Sequence, residues 1–323
     1  MESVEFISQL KSSRALSDKD LINNNSDFAT ILAQINYKDD LKISLNRKGG
    51  KKIFINDCFL KKQSDVKKYI RSVCFSSVDT NIIRGEPSCR RLWLDKVVTQ
   101  LEPVYFDLLS RFNKLLKQRS HFWRTNISKK DQSNSLIDSF DSQIAVVGTR
   151  ILRRRNRALE KLKPHIQYWH DYLSKSKEEI RLKYDSKIDI VYDNDDEKQI
   201  VNKLLNELFI QRSMEALTGR CGVGPHRDDI EFLINDISIR KFGSAGQQRT
   251  MTLALKLAEL ELVKQTICMD PILILDDVLA ELDMVRQSLL LDSVGKNSQC
   301  FISATHLNKF NKEFVNGSQI IYL

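Results

Sequence analysis

The chain has 323 residues, of which 41% are hydrophobic and 29% charged, with a formal net charge of +9 and only 11 glycines and five prolines. That length suits about two domains with a sizeable core, and the shortage of helix breakers favours long helices and argues against disorder. There is no signal peptide and no apolar run near the roughly 18 residues of a membrane span, so a soluble, cytoplasmic protein is expected.

The basic balance suits a polyanion partner such as nucleic acid, although pI alone is a weak signal. The six cysteines, at 58, 74, 89, 221, 268 and 300, are scattered, form no C-x-x-C and read as buried or inert thiols in a reducing compartment. Met1 to Leu10 carries apolar residues at 4, 7 and 10, a helical spacing. From Phe28 to Asp57 the pattern turns to strands: Ala29 to Ile35, then Leu41 to Leu45 and Lys52 to Ile55 as a hairpin around Arg47-Lys48-Gly49-Gly50. Ser72 to Phe75 is a short strand, followed by a loop from Asp79 to Arg91.

Pro103 opens a helix whose apolar residues Tyr105, Leu108, Leu109, Phe112, Leu115 and Leu116 share one stripe. A second helical segment covers about Ser135 to Lys177, with a break expected near Pro164. Joined by the polar Thr125 to Asn134 linker, the two make a helical arm. An acid-rich turn, Asp193 to Glu197, precedes a helix from Gln199 to Gln211. Strand and helix then alternate: Glu231 to Ile234, Ile237 to Ile239, a helix from Met251 to Gln265, a strand from Pro271 to Leu275, a helix from Arg286 to Val294, and Gln299 to Ala304. Such alternation implies a largely parallel sheet, and Gln319 to Leu323 is expected to add an edge strand.

Chemistry concentrates between Phe242 and Asp283. Gly243-Ser244-Ala245-Gly246-Gln247-Gln248-Arg249-Thr250 is a small-residue turn that opens a helix, a place where free N–H groups and a serine hydroxyl can meet a phosphate; its plain alternative is a loop in which Ser244 caps the helix. The apolar strand ends in Asp276-Asp277, paired carboxylates suited to Mg²⁺ and an attacking water. Two acids alone would be an ordinary polar strand end; followed by Ala280-Glu281-Leu282-Asp283 they form a series that resembles the signature, Walker B and D-loop motifs of ABC-type ATPases. Gly224-Pro225-His226-Arg227-Asp228-Asp229, the doubled glutamine at Gln247-Gln248, the second aspartate at Asp277, and Arg84-Gly85-Glu86-Pro87-Ser88 with Arg90, Arg91 and Asp95 narrow the resemblance to the RecF family of bacterial gap-repair proteins.

The resemblance implies an α/β, ABC-ATPase-like lobe split in sequence by an inserted helical arm, with residues 1–100 and 191–323 in the lobe and 101–190 in the arm. It implies Asp276 as the Mg²⁺ ligand, Asp277 as the carboxylate that orients water, and His306 as the switch histidine, a residue that otherwise reads as surface. Ser244, Gly246 and Gln247 would meet the γ-phosphate of ATP held by a second copy, and Asp283 would cross that homodimer interface. The implied activity is slow DNA-dependent ATP hydrolysis that gates binding to double-stranded DNA next to single-strand gaps. In that role the family loads recombinase with RecR and RecO, in repair, replication, recombination and the SOS response.

One motif is missing. No G-x-x-x-x-G-K-[ST] occurs, which puts both ATP and Mg²⁺ in doubt. The chain is expected to start just after its own P-loop; the alternative is a nucleotide-independent DNA-binding or scaffold remnant. His226 to Asp229 stay open between an Arg–carboxylate network and a ligand contact. Arg150, Arg153, Arg154 and Arg157 make one helical stripe, with Arg90, Arg91, Arg119, Lys129 and Lys130 nearby in sequence; it is either a solvated face or a phosphate-backbone track.

Overall fold

The computed structural model describes residues 1–12, 15, 17–125, 134–188, 196–267, 270–279, 282–293, 298–306, 310 and 317–322. Its elements are α1 (Glu2–Gln9), β1 (Phe28–Ile35), β2 (Asp39–Asn46), β3 (Lys51–Ile55), β4 (Cys58–Phe59), β5 (Ser72–Ser76), α2 (Asn81–Arg84), α3 (Pro87–Leu101), α4 (Val104–Thr125), α5 (Asn134–Ser174), β6 (Ile180–Asp185), α6 (Glu197–Ile210), α7 (Arg212–Thr218), β7 (Asp229–Ile234), β8 (Ile237–Ser238), α8 (Ile239–Phe242), α9 (Ala245–Ile267), β9 (Ile272–Asp276), α10 (Met284–Ser293) and β10 (Cys300–Ser303). They gather into two compact units, Met1–Leu60 with Tyr69–Asp79 and Asp270–Leu323, and Lys61–Lys68 with Thr80–Met269. These cuts differ from the expected ones at 100 and 190, because α3, α6 and α9 pack on α5.

The first unit holds two sheets. Turns with positive φ at Asn36-Tyr37, Gly49-Gly50 and Asn56-Asp57 fold β1 to β4 into an antiparallel meander. Leu41, Ile43 and Leu45 alternate inward along β2, with Ile43 opposite Ile53 and Leu41 opposite Ile55. The second sheet is wholly parallel, in the order β10-β9-β5. The apolar run Leu273-Ile274-Leu275 is buried in its central strand, as a parallel strand requires. Residues 319–322 form no strand, and Ile321 and Tyr322 are exposed, so the expected edge strand is absent.

In the second unit α5 is the axis. Its buried residues Ile137, Asp141, Ile144, Ile151, Arg155, Ala158, Leu162 and Ile166 recur at three-, four- and seven-residue steps, the spacing of one helix face, and α3, α4, α6 and α9 pack against it. Gly148 permits the close approach of α6: a Cβ there would meet Leu204 Cδ2 at 2.9 Å. The helix runs through Pro164 without the expected break. Pro164 is exposed, so its ring sits on the solvent side while Leu162 and Ile166 keep packing. The expected loop at 79–91 is instead mostly helical, as α2 and the start of α3, with Gly85 ending one and Pro87 opening the other. The Thr125 to Asn134 linker, Lys129 and Lys130 lie outside the described residues apart from its two ends.

The strands of this unit correct the parallel-sheet expectation. β7 pairs antiparallel with β6 on one side and with β8 on the other, the second pair joined by a two-residue hairpin turn at Asn235 and Asp236, both at positive φ. Ile230, Phe232 and Ile234 face the core, where the Phe232 ring meets Trp93 edge-on at 5.9 Å. α9 is buried almost all round, and it accommodates Lys256 by pairing it with Glu259 at 2.6 Å.

A charged cluster ties α4, α5 and α7. Arg119 Nε donates to Asp141 at 2.7 Å, Arg119 pairs also with Glu215, and Arg212 Nη2 reaches Asp141 at 2.6 Å. Arg119, Asp141 and Glu215 are fully buried, so removing the cation leaves two carboxylates with one partly exposed partner. Arg119→Met is therefore expected to lower the unfolding free energy by about 3–5 kcal/mol in urea titrations. A loss under about 1 kcal/mol would show that the carboxylates find other partners.

Candidate nucleotide site and its supporting network

The acidic pair lies at the end of β9, and its geometry is set from β10. Asp276 is the last residue of β9, in register with Ser303. The Ser303 hydroxyl donates to Asp276 Oδ1 at 3.0 Å and accepts the Asp277 N–H at 2.9 Å. Asp277 itself takes φ of +56°, a left-handed conformation uncommon outside glycine, asparagine and aspartate. Asp277, Ser303 and His306 line one small pocket, so the expected carboxylate and the expected switch histidine come together in this structure. Two carboxylates at a strand end fit Mg²⁺, which takes one or two protein oxygens and keeps waters for the rest. No group of three or more metal-ligating side chains occurs among the described residues. Asp283 caps α10, accepting the Arg286 N–H at 2.9 Å and pairing with the Arg286 side chain. Ala280 and Glu281 lie outside the described residues. Sequence reasoning missed Ser303 and also Gln287, whose buried amide donates to Leu279 O at 2.6 Å and Leu282 O at 2.9 Å and so holds the turn before α10.

In the other unit, the turn at Ser244 is a capping box. Ser244 Oγ accepts the Gln247 N–H at 3.2 Å, and Gln247 Oε1 accepts the Ser244 N–H at 2.9 Å. The expected alternative role of Ser244 as a cap is thus real, yet its hydroxyl keeps a hydrogen to donate. Gly243 and Gly246 differ in kind. A Cβ at Gly243 would meet Ile239 O at 2.5 Å, whereas one at Gly246 would meet only Ser244 Oγ at 3.8 Å, so the fold does not demand the second glycine. The doubled glutamine also divides: Gln248 is buried, donates to Ile239 O at 3.1 Å and accepts from Arg84.

Arg155 of α5 organises the expected marker residues. It donates to Asp95 at 2.8 and 3.0 Å, to Tyr105 at 3.1 Å, to Tyr184 at 3.2 Å and to Pro225 O at 2.5 Å. Tyr184 donates onward to Asp228 at 2.9 Å, and Arg90 grips Asp229 through two bonds of 2.6 and 3.0 Å. Arg91 binds Asp228 O at 2.7 Å, while His226 and Arg227 both reach Cys221 O. Asp228 and Asp229 therefore belong to an Arg–carboxylate network. The arm stripe is not bare either: Arg150 and Arg153 face Glu197 at 3.4 and 2.8 Å, and Arg154 and Arg157 face Glu102 at 2.9 and 2.8 Å. Arg119 lies in the buried cluster and not on that face. Of the cysteines, Cys221 is buried, Cys74, Cys89 and Cys300 are half-buried, Cys58 is exposed against expectation, and Cys268 lies outside the described residues. Burial pushes the Cys300 thiol up to about 12.

Burial pushes the Asp228 carboxyl up to about 6, against the hydroxyls of Tyr184 and Ser186 and the nearby Arg155. It pushes the His226 imidazole down to about 4. The two oppose each other. Folded Asp228 keeps a proton that the unfolded chain releases near 3.8, so its contribution is lost as pH rises from about 4 to 6. Folded His226 refuses a proton that the unfolded chain takes up near 6.5, so its contribution is lost as pH falls from about 6.5 to 4. Relative to the native chain, Asp228→Asn should steepen the fall in stability between pH 6.5 and 4, and His226→Gln should flatten or reverse it, each by on the order of 2 kcal/mol in denaturant titrations. Superimposable pH profiles would show that neither group titrates this way.

No family model matches the chain. The DNA replication and repair protein RecF of Synechococcus sp. (strain CC9605) is 45% identical over 322 residues, covering 99% of this chain and 88% of the relative. RecF of Parasynechococcus marenigrum (strain WH8102) is 44% identical over 324 residues with the same coverage. Among solved structures, the recombination mediator protein RecF-ATP in the RecFOR pathway matches with a TM-score of 0.86 at 29% identity, over 96% of this chain and 83% of that chain. The strand ending in Asp276-Asp277, the Ser244-capped helix and the helical arm are thus an ABC-ATPase-like α/β fold, and the chain belongs to the RecF family of DNA replication and repair proteins.

Proposed function

We propose that the chain binds double-stranded DNA next to single-strand gaps as an ATP-dependent homodimer and promotes recombinase loading together with RecR and RecO. The observation that carries this reading is the Ser303 clamp, which holds Asp276 and the backbone of Asp277 in one hydrogen-bonded set beside His306. The relatives' name, DNA replication and repair protein, and the solved neighbour's place in the RecFOR pathway support it.

Each residue has a defined task. Asp276 would hold Mg²⁺, which when bound neutralises charge on the phosphates. Asp277 orients the water and accepts its proton, with His306 across the same pocket. Ser244 donates its remaining hydroxyl hydrogen, and the first turn of α9 offers N–H groups that no helix carbonyl can take, a donor set for a γ-phosphate held by a second copy. Gln247 keeps that turn in shape, and Asp283 presents α10 toward the dimer interface. The arm's four arginines contact backbone phosphates without reading bases, in exchange for Glu102 and Glu197. The rival reading, a DNA-binding or scaffold protein that does not use nucleotide, is favoured by the lack of a G-x-x-x-x-G-K-[ST] in the 323 residues.

Asp277→Asn is expected to lower DNA-stimulated ATP turnover by on the order of 10² or more, with nucleotide binding retained. Unchanged turnover would assign water orientation to another group, and no turnover in the native chain with intact DNA binding would favour the rival. For the arm, Arg153→Ala with Arg154→Ala and Arg157→Ala should weaken duplex binding at low salt about tenfold or more and reduce its salt dependence. Glu102→Gln with Glu197→Gln should strengthen it. Duplex affinity indifferent to both sets would remove the stripe from the DNA interface.

A further inference from the structure

The arm stripe is neutralised in part by its own glutamates, but another group of cations in the same unit is not. A concavity of about 490 Å³ is lined by Lys117, His121 and Arg124 of α4 and by Arg220, His226 and Arg227 of the loop 219–227. No aspartate or glutamate lines it. Lys117 and Arg124 are seven residues apart and so lie on one face of α4, with Ser120 and His121 between them. The side chains of Lys117, Arg124 and Arg220 have no hydrogen-bond or ion-pair partner among the described residues, unlike Arg90, Arg119, Arg155 and Arg212 of the same unit, which all face carboxylates.

The wall opposite α4 is firmly built. Gly219 ends α7 at φ of +65°, and a Cβ there would come within 3.2 Å of Arg124 Cγ, so the arginine stem lies across the glycine. The Gly222 N–H is held by Glu215 at 3.0 Å, which anchors the loop to the buried ionic cluster. Cys221 O accepts from His226 Nε2 at 3.1 Å and from Arg227 Nε at 2.9 Å, and the His226 ring packs on Phe112 at 5.7 Å. Burial keeps His226 neutral, so the positive charge rests on Lys117, Arg124, Arg220 and Arg227. Four cations around a preformed hollow are costly to keep together unless an anion joins them. A hollow of about 490 Å³ admits a phosphate or a short polyphosphate.

We propose that this concavity, separate from the Walker B and signature motifs, binds a phosphate group, carried either by a free polyphosphate or nucleotide or by a nucleic-acid strand whose phosphate enters it. The probe is inorganic pyrophosphate, titrated calorimetrically into the 323-residue protein at low salt without Mg²⁺. One saturable site is expected, weakened at least tenfold by Arg124→Gln with Arg220→Gln and unchanged by Arg153→Ala with Arg157→Ala or by Asp277→Asn. If the double variant does not fold, Lys117→Gln, a change on an exposed helix face, carries the test with about a threefold loss. Displacement of pyrophosphate by duplex DNA assigns the phosphate to nucleic acid; failure of the duplex to displace it assigns a free ligand. No saturable binding, equal affinity in all variants, or displacement by polyglutamate as efficiently as by excess phosphate would overturn the proposal, the last because the hollow would then take an acidic peptide.

Discussion

The larger unit depends on one buried guanidinium. Arg155 sits on the middle of α5 with almost no exposure, and a charge there is tolerable only because a carboxylate, two phenols and a backbone carbonyl receive its hydrogens. Those acceptors come from α3, α4, β6 and the segment before β7. The requirement that all of them reach one planar fork fixes where the arm meets the small antiparallel sheet, and it delivers Asp228 and Asp229 to their own partners. The Gly224 to Asp229 segment is a junction of this network, through Pro225 O, Asp228 and Asp229.

Local features were legible in the sequence. The paired acids after an apolar strand, the Ser-x-x-Gln box and the arm periodicity are each written within a few residues, where periodicity and cap chemistry apply. Ser303 was not legible, because its link to Asp276 runs through parallel pairing between strands 27 residues apart. Arg155 carries no local signal, since its partner Asp95 lies 60 residues away. Asn235-Asp236 is a local turn signal for the antiparallel pair of β7 and β8, which the alternation of strand and helix does not show. Pro164 misled for the opposite reason: the rule for interior prolines is local, but the helix is held by packing on its far face.

Several residues that read as chemistry also serve structure. Ser244 and Gln247 cap each other, Asp283 caps α10, and Ser303 both steadies Asp276 and satisfies the N–H of a residue in a left-handed turn. Within each unit these turns are set before any ligand arrives, because the bonds that define the local fold are the bonds that set their geometry. The same economy means that substitution at these positions disturbs local shape, and only changes that keep the cap or the turn can test the proposed chemical roles.

If the arm stripe contacts DNA as proposed, the glutamates under it have a kinetic meaning. Each carboxylate holds two arginines, so an incoming polyanion does not land on bare charge but exchanges with an anion already in place. A single phosphate gains little from such an exchange, since it replaces one carboxylate by another acceptor. A chain of regularly spaced phosphates can replace both at once, and can leave stepwise as each glutamate returns. On the proposed function, such a face suits brief residence and lateral movement on an extended polymer more than retention of a small anion.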